Sequence, residues 1–308
     1  MPSSGSSGSA DTPRLSIITP SYNQAAYLEE TILSVQGQAH AGIEHIVVDG
    51  GSTDGSVEVI RRHASKLASW VSEPDRGQSH AINKGLEKAT GELVAYLNSD
   101  DVYLPGAFDA AFETMHAGVS WAAGGVLGFG GPGMPVGEWH MAAPPRSLAQ
   151  CLSGQFIAAQ PGHFWRRELF QRHGGFDESF RYLFDIEWYA RLLAAGEHCV
   201  VIPRPLAGYR FHETSKSVSE GDKFETEWER IRARYVGKVP LLEQPWVRHK
   251  LGLRRANVAF GRALRAAANG APHEAWSIYR SAVLAYPPAA ATRAGVGAVR
   301  RLLRSPRP

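Results

Sequence analysis

The 308-residue sequence predicts an α/β fold, an open and mainly parallel β-sheet covered by helices on both faces. Two observations lead there. Short apolar runs rich in β-branched residues alternate with segments of helical period through the first hundred residues, and the connections between them are short. A third observation locates a site: the polar clusters Ser21-Tyr22-Asn23, Asp49 and Asn98–Asp101 all lie just past the apolar runs. In open sheets of this type ligands bind beyond the carboxyl ends of the strands.

Taken in order, residues 15–19 (LSIIT) read as a strand. The helix over 25–38 follows, with Tyr27, Leu28, Ile32 and Val35 spaced for one face. Residues 43–49 form a second strand, and Asp54 is the expected N-cap of a short helix ending at His63. A third strand covers 69–73, a helix 77–89 stops before Gly91, and a fourth strand covers 92–98. After residue 120 the Gly-rich stretch WAAGGVLGFGGPGMPVGEWH suits irregular strands and loops better than helices. Helices are expected at 147–152, 168–173 and 185–195, and strands at 163–167 and 198–202. PLAGYRFHETSKSVS reads as a polar loop leading into a charged helix over 222–235. Beyond Pro240 the chain is Ala/Arg-rich, with two antiparallel helices expected around an Asn269-Gly270 turn.

Composition narrows the function classes. A hydrophobic fraction of 44% with 20% charged residues is that of a globular protein. No run approaches the roughly 18 apolar residues that span a bilayer, and no signal peptide opens the chain. Cys151 and Cys199 have no metal-type spacing, so a reduced, cytoplasmic protein is expected. Residues 241–308 hold 12 Lys/Arg against Glu243 and Glu274, a net of +10, which leaves 21 Lys/Arg against 28 acids and a net of −7 in residues 1–240. Such asymmetry predicts two modules with different partners. The expected organisation is a flexible Gly/Ser-rich tail or added linker (1–12), a catalytic domain (13–240) and a basic α-helical region (241–308).

Among motifs, Gly128–Gly133 matches G-x-G-x-x-G, but Pro132 and Pro135 preclude the helix that a dinucleotide fold needs there. No H-E-x-x-H, P-loop or G-x-S-x-G string is present. Asp100-Asp101 is more informative. Adjacent carboxylates at the end of a buried strand repel each other, so a cation is expected beside them. Paired hard oxygen ligands suit Mg2+ or Mn2+, which hold phosphates.

Five blocks carry a resemblance: SIITPSYNQAAYLEETILSVQGQ, IEHIVVDGGSTDGS, EPDRGQSHAINKGLEKATGELVAYLNSDD, GGFDESFRYLFDIEWYARL and YRFHETSKS. Over about residues 15–217 the chain resembles the family 2 inverting glycosyltransferases of the GT-A fold. The resemblance implies transfer of a sugar from a nucleotide-diphosphate donor, a UDP-sugar by expectation, to a hydroxyl in surface polysaccharide or glycan synthesis. It implies that Tyr22 stacks on the base, that the backbone at Thr19 and Pro20 borders it, and that Asp49 accepts a hydrogen bond from base or ribose. The second Asp that this family often carries after it is Gly50 here. Arg76 and Asn83 would lie near the phosphates or sugar. Asn98-Ser99-Asp100-Asp101 corresponds to the D-x-D region, with Asp100 at the ribose or metal shell and Asp101 on the metal, Mn2+ or Mg2+. His212 would join that metal and Arg210 would counter the diphosphate. Asp185 stands where the family carries its catalytic base, with Glu187 as the rival. Gln160, His163, Trp165 and Arg166 are expected on the acceptor side.

A nucleotidyltransferase would need a Gly-rich, Arg-containing loop after the first strand, which TPSYNQ is not. A binding protein without activity would lack the base that Asp185 represents. The basic C-terminal region lacks the aromatic interleaving of a nucleic-acid surface. It is expected to dock on the catalytic domain and to contact an anionic membrane peripherally, at its inner face, where lipid-linked acceptors reside; a free saccharide is the other acceptor class.

Overall fold

A computed structural model describes residues 15–40, 42–130, 144–154, 156, 160–212 and 221–304. The chain divides into two compact units, the first ending at Tyr235 and the second beginning at Val236.

In the first unit, β1 (Leu15–Ser21) is buried along its whole length, its polar residues Ser16, Thr19 and Ser21 included. It pairs in parallel with β2 (Ile43–Asp49) and β4 (Leu93–Tyr96), and β2 pairs in parallel with β3 (Ser69–Ser72). With β5 (Val102–Tyr103), β6 (Trp121–Phe129), β7 (His163–Arg166) and β8 (Cys199–Arg210) these form one sheet of order β3-β2-β1-β4-β7-β6-β8-β5. Only β7 and β5 run against the other strands of this sheet. The carboxyl ends of β1, β2, β4 and β8 therefore share one edge.

Alternation along β1 distributes its side chains to two faces. Leu15 and Ile17 enter a cluster with Val35 of α1 (Ala25–Gln36) and Phe108 of α4 (Ala107–Thr114). Ile18 points instead at α3 (Gln78–Lys88), where Gly85 permits the close approach: a Cβ there would lie 2.4 Å from Ile18 Cγ2. Leu28 and Ile32 of α1 meet Val47 of β2 and Val59 and Ile60 of α2 (Ser56–His63).

Two local expectations change, for Asp54 and for the loop from Pro205, and a third, for the Gly-rich stretch, is sharpened. Asp54 is not the cap residue of α2. Gly55 occupies that position with φ 100°, and Asp54 sits one place earlier, its Oδ1 accepting from Ser56 N (3.0 Å) and its Oδ2 from Ala25 N of α1 (2.9 Å). The Gly-rich stretch after residue 120 begins with a nine-residue strand, β6, in which Gly124 leaves room for Leu206: a Cβ would lie 2.4 Å from Leu206 Cγ. Residues 131–133 of the glycine motif lie outside the described residues. The polar loop expected from Pro205 is still strand as far as Arg210. Pro203 and Pro205 sit at a register shift between β6 and β8, after which pairing resumes from Ala207 to Arg210. Pairing, rather than local polarity, decides that segment.

The second unit contains α9 (Gln244–Ala268), α10 (Pro272–Ala285) and α11 (Arg293–Arg304), after the last helix of the first unit, α8 (Gly221–Tyr235). Ala256, Phe260 and Ala263 pack with Ala275, Tyr279 and Ala282 and with Ala298 and Leu302 in a small-residue core. Gly270 supplies the left-handed turn (φ 80°) between α9 and α10. Among the described residues no helix is long and apolar enough to cross a membrane.

Candidate active site

The residues after β4 build a carboxylate cluster. β5 pairs with β8 so that Val102 faces Gly208, and this register brings Asp101 to the end of β8. Asp101 is almost fully buried; its Oδ1 accepts from Arg210 N (3.0 Å) and its Oδ2 from Asn98 Nδ2 (3.2 Å). Asn98 in turn accepts from Gln78 Nε2 of α3 (2.6 Å). Asp100 Oδ2 lies 2.9 Å from His212 Nε2, and the His212 ring lies 4.8 Å from that of Tyr27. Burial, reinforced by the charge of Asp100, pushes the Asp101 carboxyl well above the usual range. Among the described residues no group of three or more His, Cys, Asp or Glu side chains is placed to hold a metal ion. The donor set nevertheless suits a hard divalent ion: two adjacent carboxylates and an imidazole, with like charge that a cation would relieve.

A second group lies at the ends of β1 and β2. Tyr22 follows β1 and is 60% exposed. Thr19 and Pro20, buried in the strand, carry the chain to it, and the Thr19 hydroxyl lies 3.0 Å from His45 Nε2. Asn23 adopts φ 52°, and its Oδ1 accepts from Thr53 N (2.9 Å), tying the two loops together. Asp49 is held inside the protein. It is fully buried and already accepts from Gly51 N (3.1 Å), Ser52 N (2.9 Å), Ser52 Oγ (2.5 Å) and Ser72 Oγ (2.7 Å). Three of these bonds fall on Oδ2 and one on Oδ1, so the carboxylate fixes the 49–52 turn and ties it to β3 from a position closed to solvent.

Asp185 lies in the first turn of α7 (Phe184–Ala194), half-buried, with Oδ1 accepting from Ile186 N (2.8 Å). Burial raises its pKa to about 6, with a further push from Glu227. The buried Tyr96 phenol, at the end of β4, feels the charge of both Asp185 and Asp101. Glu187 is engaged elsewhere. It is fully buried, pairs with Arg191, accepts from Arg234 Nη1 (3.1 Å) and from the Tyr235 hydroxyl (2.6 Å), and so joins α7 to α8.

One contributor had no sequence signal. Glu227 of α8 accepts from the backbone N–H groups of Arg181 (2.6 Å), Tyr182 (2.9 Å) and Leu183 (2.8 Å), and so holds the chain that enters α7 just ahead of Asp185. A glutamate more than forty residues downstream in a charged helix looks like any solvated acid.

Several expected residues are not brought to the cleft. Arg76 pairs with Glu178 (2.7 Å), and Asn83 binds Glu178 Oε1 (3.2 Å) and both backbone groups of Phe176 (2.9 Å each). In this structure both side chains bind the 175–178 loop. Arg210, by contrast, does reach the carboxylate cluster: its guanidinium donates to the Asp100 carbonyl (2.9 Å), pairs with Glu30 and lies over Phe129. His163 and Trp165 are core residues. His163 Nδ1 accepts from Trp121 Nε1 (3.0 Å), its ring stacks on Tyr189 at 4.6 Å, and burial lowers its pKa to about 3. Trp165 is 1% exposed. Arg166 pairs across from Leu93, at the opposite edge of the sheet, where it binds the carbonyls of Met115, His116 and Val119. It lines a cavity of about 590 Å³ there, away from the carboxylates. Of the four acceptor-side candidates only Gln160 stays at the right edge: Nε2 donates to Tyr96 O (2.8 Å), and its buried Oε1 has no partner among the described residues.

Comparison with known proteins agrees with this architecture. The family described as "Glycosyl transferase family 2" matches residues 16–174. An uncharacterised glycosyltransferase of Mycobacterium tuberculosis is 33% identical over 215 residues, covering 67% of this chain and 80% of that protein. The GalNAc(5)-diNAcBac-PP-undecaprenol beta-1,3-glucosyltransferase of Campylobacter jejuni is 30% identical over 119 residues, 37% of this chain and 38% of that protein. In fold, the chain is similar to S. aureus TarS 1–349 in complex with UDP-GlcNAc (TM-score 0.60, 20% identity, 89% of this chain and 92% of that one). It is also similar to the mannosyltransferase PcManGT from Pyrobaculum calidifontis in complex with GDP-Man and Mn2+ (TM-score 0.53, 21% identity, 97% and 89%). With the family match spanning half the chain and the edge of the sheet carrying this carboxylate cluster, the chain belongs to glycosyl transferase family 2, as an enzyme of the GT-A fold that transfers glycosyl groups.

Proposed function

We propose that this enzyme transfers one sugar from a UDP-sugar to a hydroxyl with inversion, and that it uses Mn2+ or Mg2+. What carries this reading is two unlike carboxylate groups that both act on Tyr96 at the end of β4: Asp100-Asp101 with His212, and half-buried Asp185 with a pKa of about 6. Asp101, Asp100 and His212 would hold the ion. A bound divalent ion supplies neutralisation of the diphosphate as the bond to the sugar breaks. Tyr22 offers an exposed ring for the base. Asp185 takes the proton of the acceptor hydroxyl, whose oxygen forms the new bond to the anomeric carbon as the nucleoside diphosphate leaves. Gln160 Oε1 is available to an acceptor hydroxyl. The UDP-GlcNAc in the TarS complex and the Mn2+ in the mannosyltransferase complex support the choice of donor and ion. The undecaprenol-linked acceptor in the Campylobacter relative's name supports a lipid-linked acceptor in glycan synthesis. We also assign the basic second unit to peripheral contact with an anionic membrane at the cytoplasmic face.

Asp185→Asn keeps the size and loses the basicity. Turnover is expected to fall on the order of 10²–10⁴-fold, while UDP affinity changes only a few-fold. Excess chelator is expected to abolish transfer, and Mn2+ to restore it. Full turnover in the Asn variant sinks the assignment of the base, and full turnover in EDTA sinks that of the metal.

A further inference from the structure

Gly50, directly after β2, has an ordinary backbone conformation open to any L-residue, yet its side-chain space is filled. A Cβ at Gly50 would lie 2.6 Å from Asp75 Oδ2, 3.1 Å from Asp75 Cγ and 3.3 Å from Tyr22 Cδ2. The Asp75 carboxylate thus occupies the place a residue-50 side chain would take, beside the Tyr22 ring. It arrives from the loop between β3 and α3. Its Oδ1 is fixed by Gly77 N (2.7 Å), and Gly77 adopts φ 124° to allow that turn. Among the described residues Oδ2 accepts no hydrogen bond, and Asp75 is half-buried. Asp49, the acid nearest in sequence, is fully buried, its Oδ2 taken by Gly51 N, Ser52 N and Ser72 Oγ and its Oδ1 by Ser52 Oγ.

We propose that Asp75 reads the donor base: Oδ2 accepts the ring N–H of a base stacked on Tyr22. The proposal rests on the reading that this edge binds the donor nucleotide. An ionised carboxylate only accepts. It therefore favours bases with a ring N–H, which are uracil and thymine at N3 and guanine at N1. It disfavours cytosine and adenine, which would bring a lone pair against it. Absence of a side chain at position 50 is then a condition of the site, because an acid there would meet Asp75 at close range. In the competing account Asp75 only shapes the turn before α3. Its loss would then lower stability and leave base preference unchanged.

Dissociation constants for UDP, CDP and 3-methyl-UDP, measured by calorimetry with Mn2+ present, separate these accounts. The wild type is expected to bind UDP on the order of 10- to 100-fold more tightly than CDP or 3-methyl-UDP, the worth of a hydrogen bond to a charged group. Asp75→Asn, whose amide can donate to cytosine N3, is expected to collapse the UDP:CDP ratio by about tenfold or more. The double variant Gly50→Asp/Asp75→Ala returns a carboxylate to the same space from β2 and is expected to restore the preference. An unchanged UDP:CDP ratio in Asp75→Asn, or full affinity for 3-methyl-UDP in the wild type, overturns the proposal while leaving the donor site intact. UDP binding that survives Tyr22→Ala undiminished overturns the donor site itself, and the proposal with it.

Discussion

With burial lifting its pKa to about 6, Asp185 is ionised at pH 7.5 and protonated at pH 5. Two consequences have opposite signs. As a base it works only when ionised, so turnover is expected to fall about tenfold per unit below pH 6, which a pH–rate profile reads directly. For stability, the folded pKa lies above the unfolded one, so the folded state binds the proton more tightly. The charged form therefore costs stability above about pH 6, and the cost disappears as pH falls through 6 toward the unfolded value. Asp185→Asn is accordingly expected to raise stability at pH 8 by about 1–3 kcal/mol and by much less at pH 4. Urea denaturation at the two pH values checks this; equal effects at both would mean that the buried charge is not the source. Glu187→Gln behaves differently. Weakening a fully buried carboxylate that pairs with Arg191 and Arg234 is expected to cost about 3–5 kcal/mol, so its activity must be compared per folded molecule.

At the scale of elements, α8 and α7 are joined through two buried glutamates, Glu227 of α8 and Glu187 of α7. Glu227→Ala leaves the N–H groups of residues 181–183 without their acceptor. The expected loss is about 1–3 kcal/mol of stability per buried unpaired group, less what water recovers. Turnover is expected to fall while UDP affinity holds, because Asp185 is displaced and the base-side loops are untouched. If UDP affinity falls in parallel with turnover, the link from Glu227 to Asp185 is not the operative one. Close approach sets the other limit. Gly85→Ala puts a methyl group 2.4 Å from Ile18 Cγ2, and overpacking there is expected to cost about 1–3 kcal/mol despite the gain in helix propensity. A melting curve distinguishes that from the stabilisation an exposed Gly→Ala change would give.

At the scale of the molecule, the charge asymmetry coincides with the division into two units. Residues 241–308 carry a net +10, and Arg293 and Arg300 of α11 are exposed with Leu303. Removing α11 is an unsuitable test of membrane contact, because Ala298 and Leu302 belong to the core of the second unit. Reversing exposed charges is cleaner. Arg293→Glu/Arg300→Glu is expected to weaken binding to anionic liposomes at low salt by about 1 kcal/mol per charge removed, or more with reversal, and the effect should fade as salt rises. Donor hydrolysis is expected to stay unchanged. Equal liposome binding by the variant would leave the second unit without a membrane role.

Much of the fold was legible because it is written locally. Residues 15–21, 43–49 and 93–96 are apolar enough to be strands buried on both faces, and the spacing of Leu28, Ile32 and Val35 can only face a core from a helix. The position of Asp100-Asp101 followed from the same logic, since chain polarity puts strand ends at the ligand edge. Tertiary structure decided what depends on partners far apart in the chain. Residues 205–210 became strand because β6 and β5 offered hydrogen bonds that a polar sequence does not announce. Asn83, His163 and Arg166 have side chains chemically suited to a site, yet each is engaged by neighbours that only folding supplies, and Asp49 is closed off from solvent. Asp75 and Glu227 gained significance for the converse reason: one fills the space left by Gly50, and the other caps a segment more than forty residues before it. Residue type determines what a group can bond to, and the folded neighbourhood determines which of those bonds remain for a substrate.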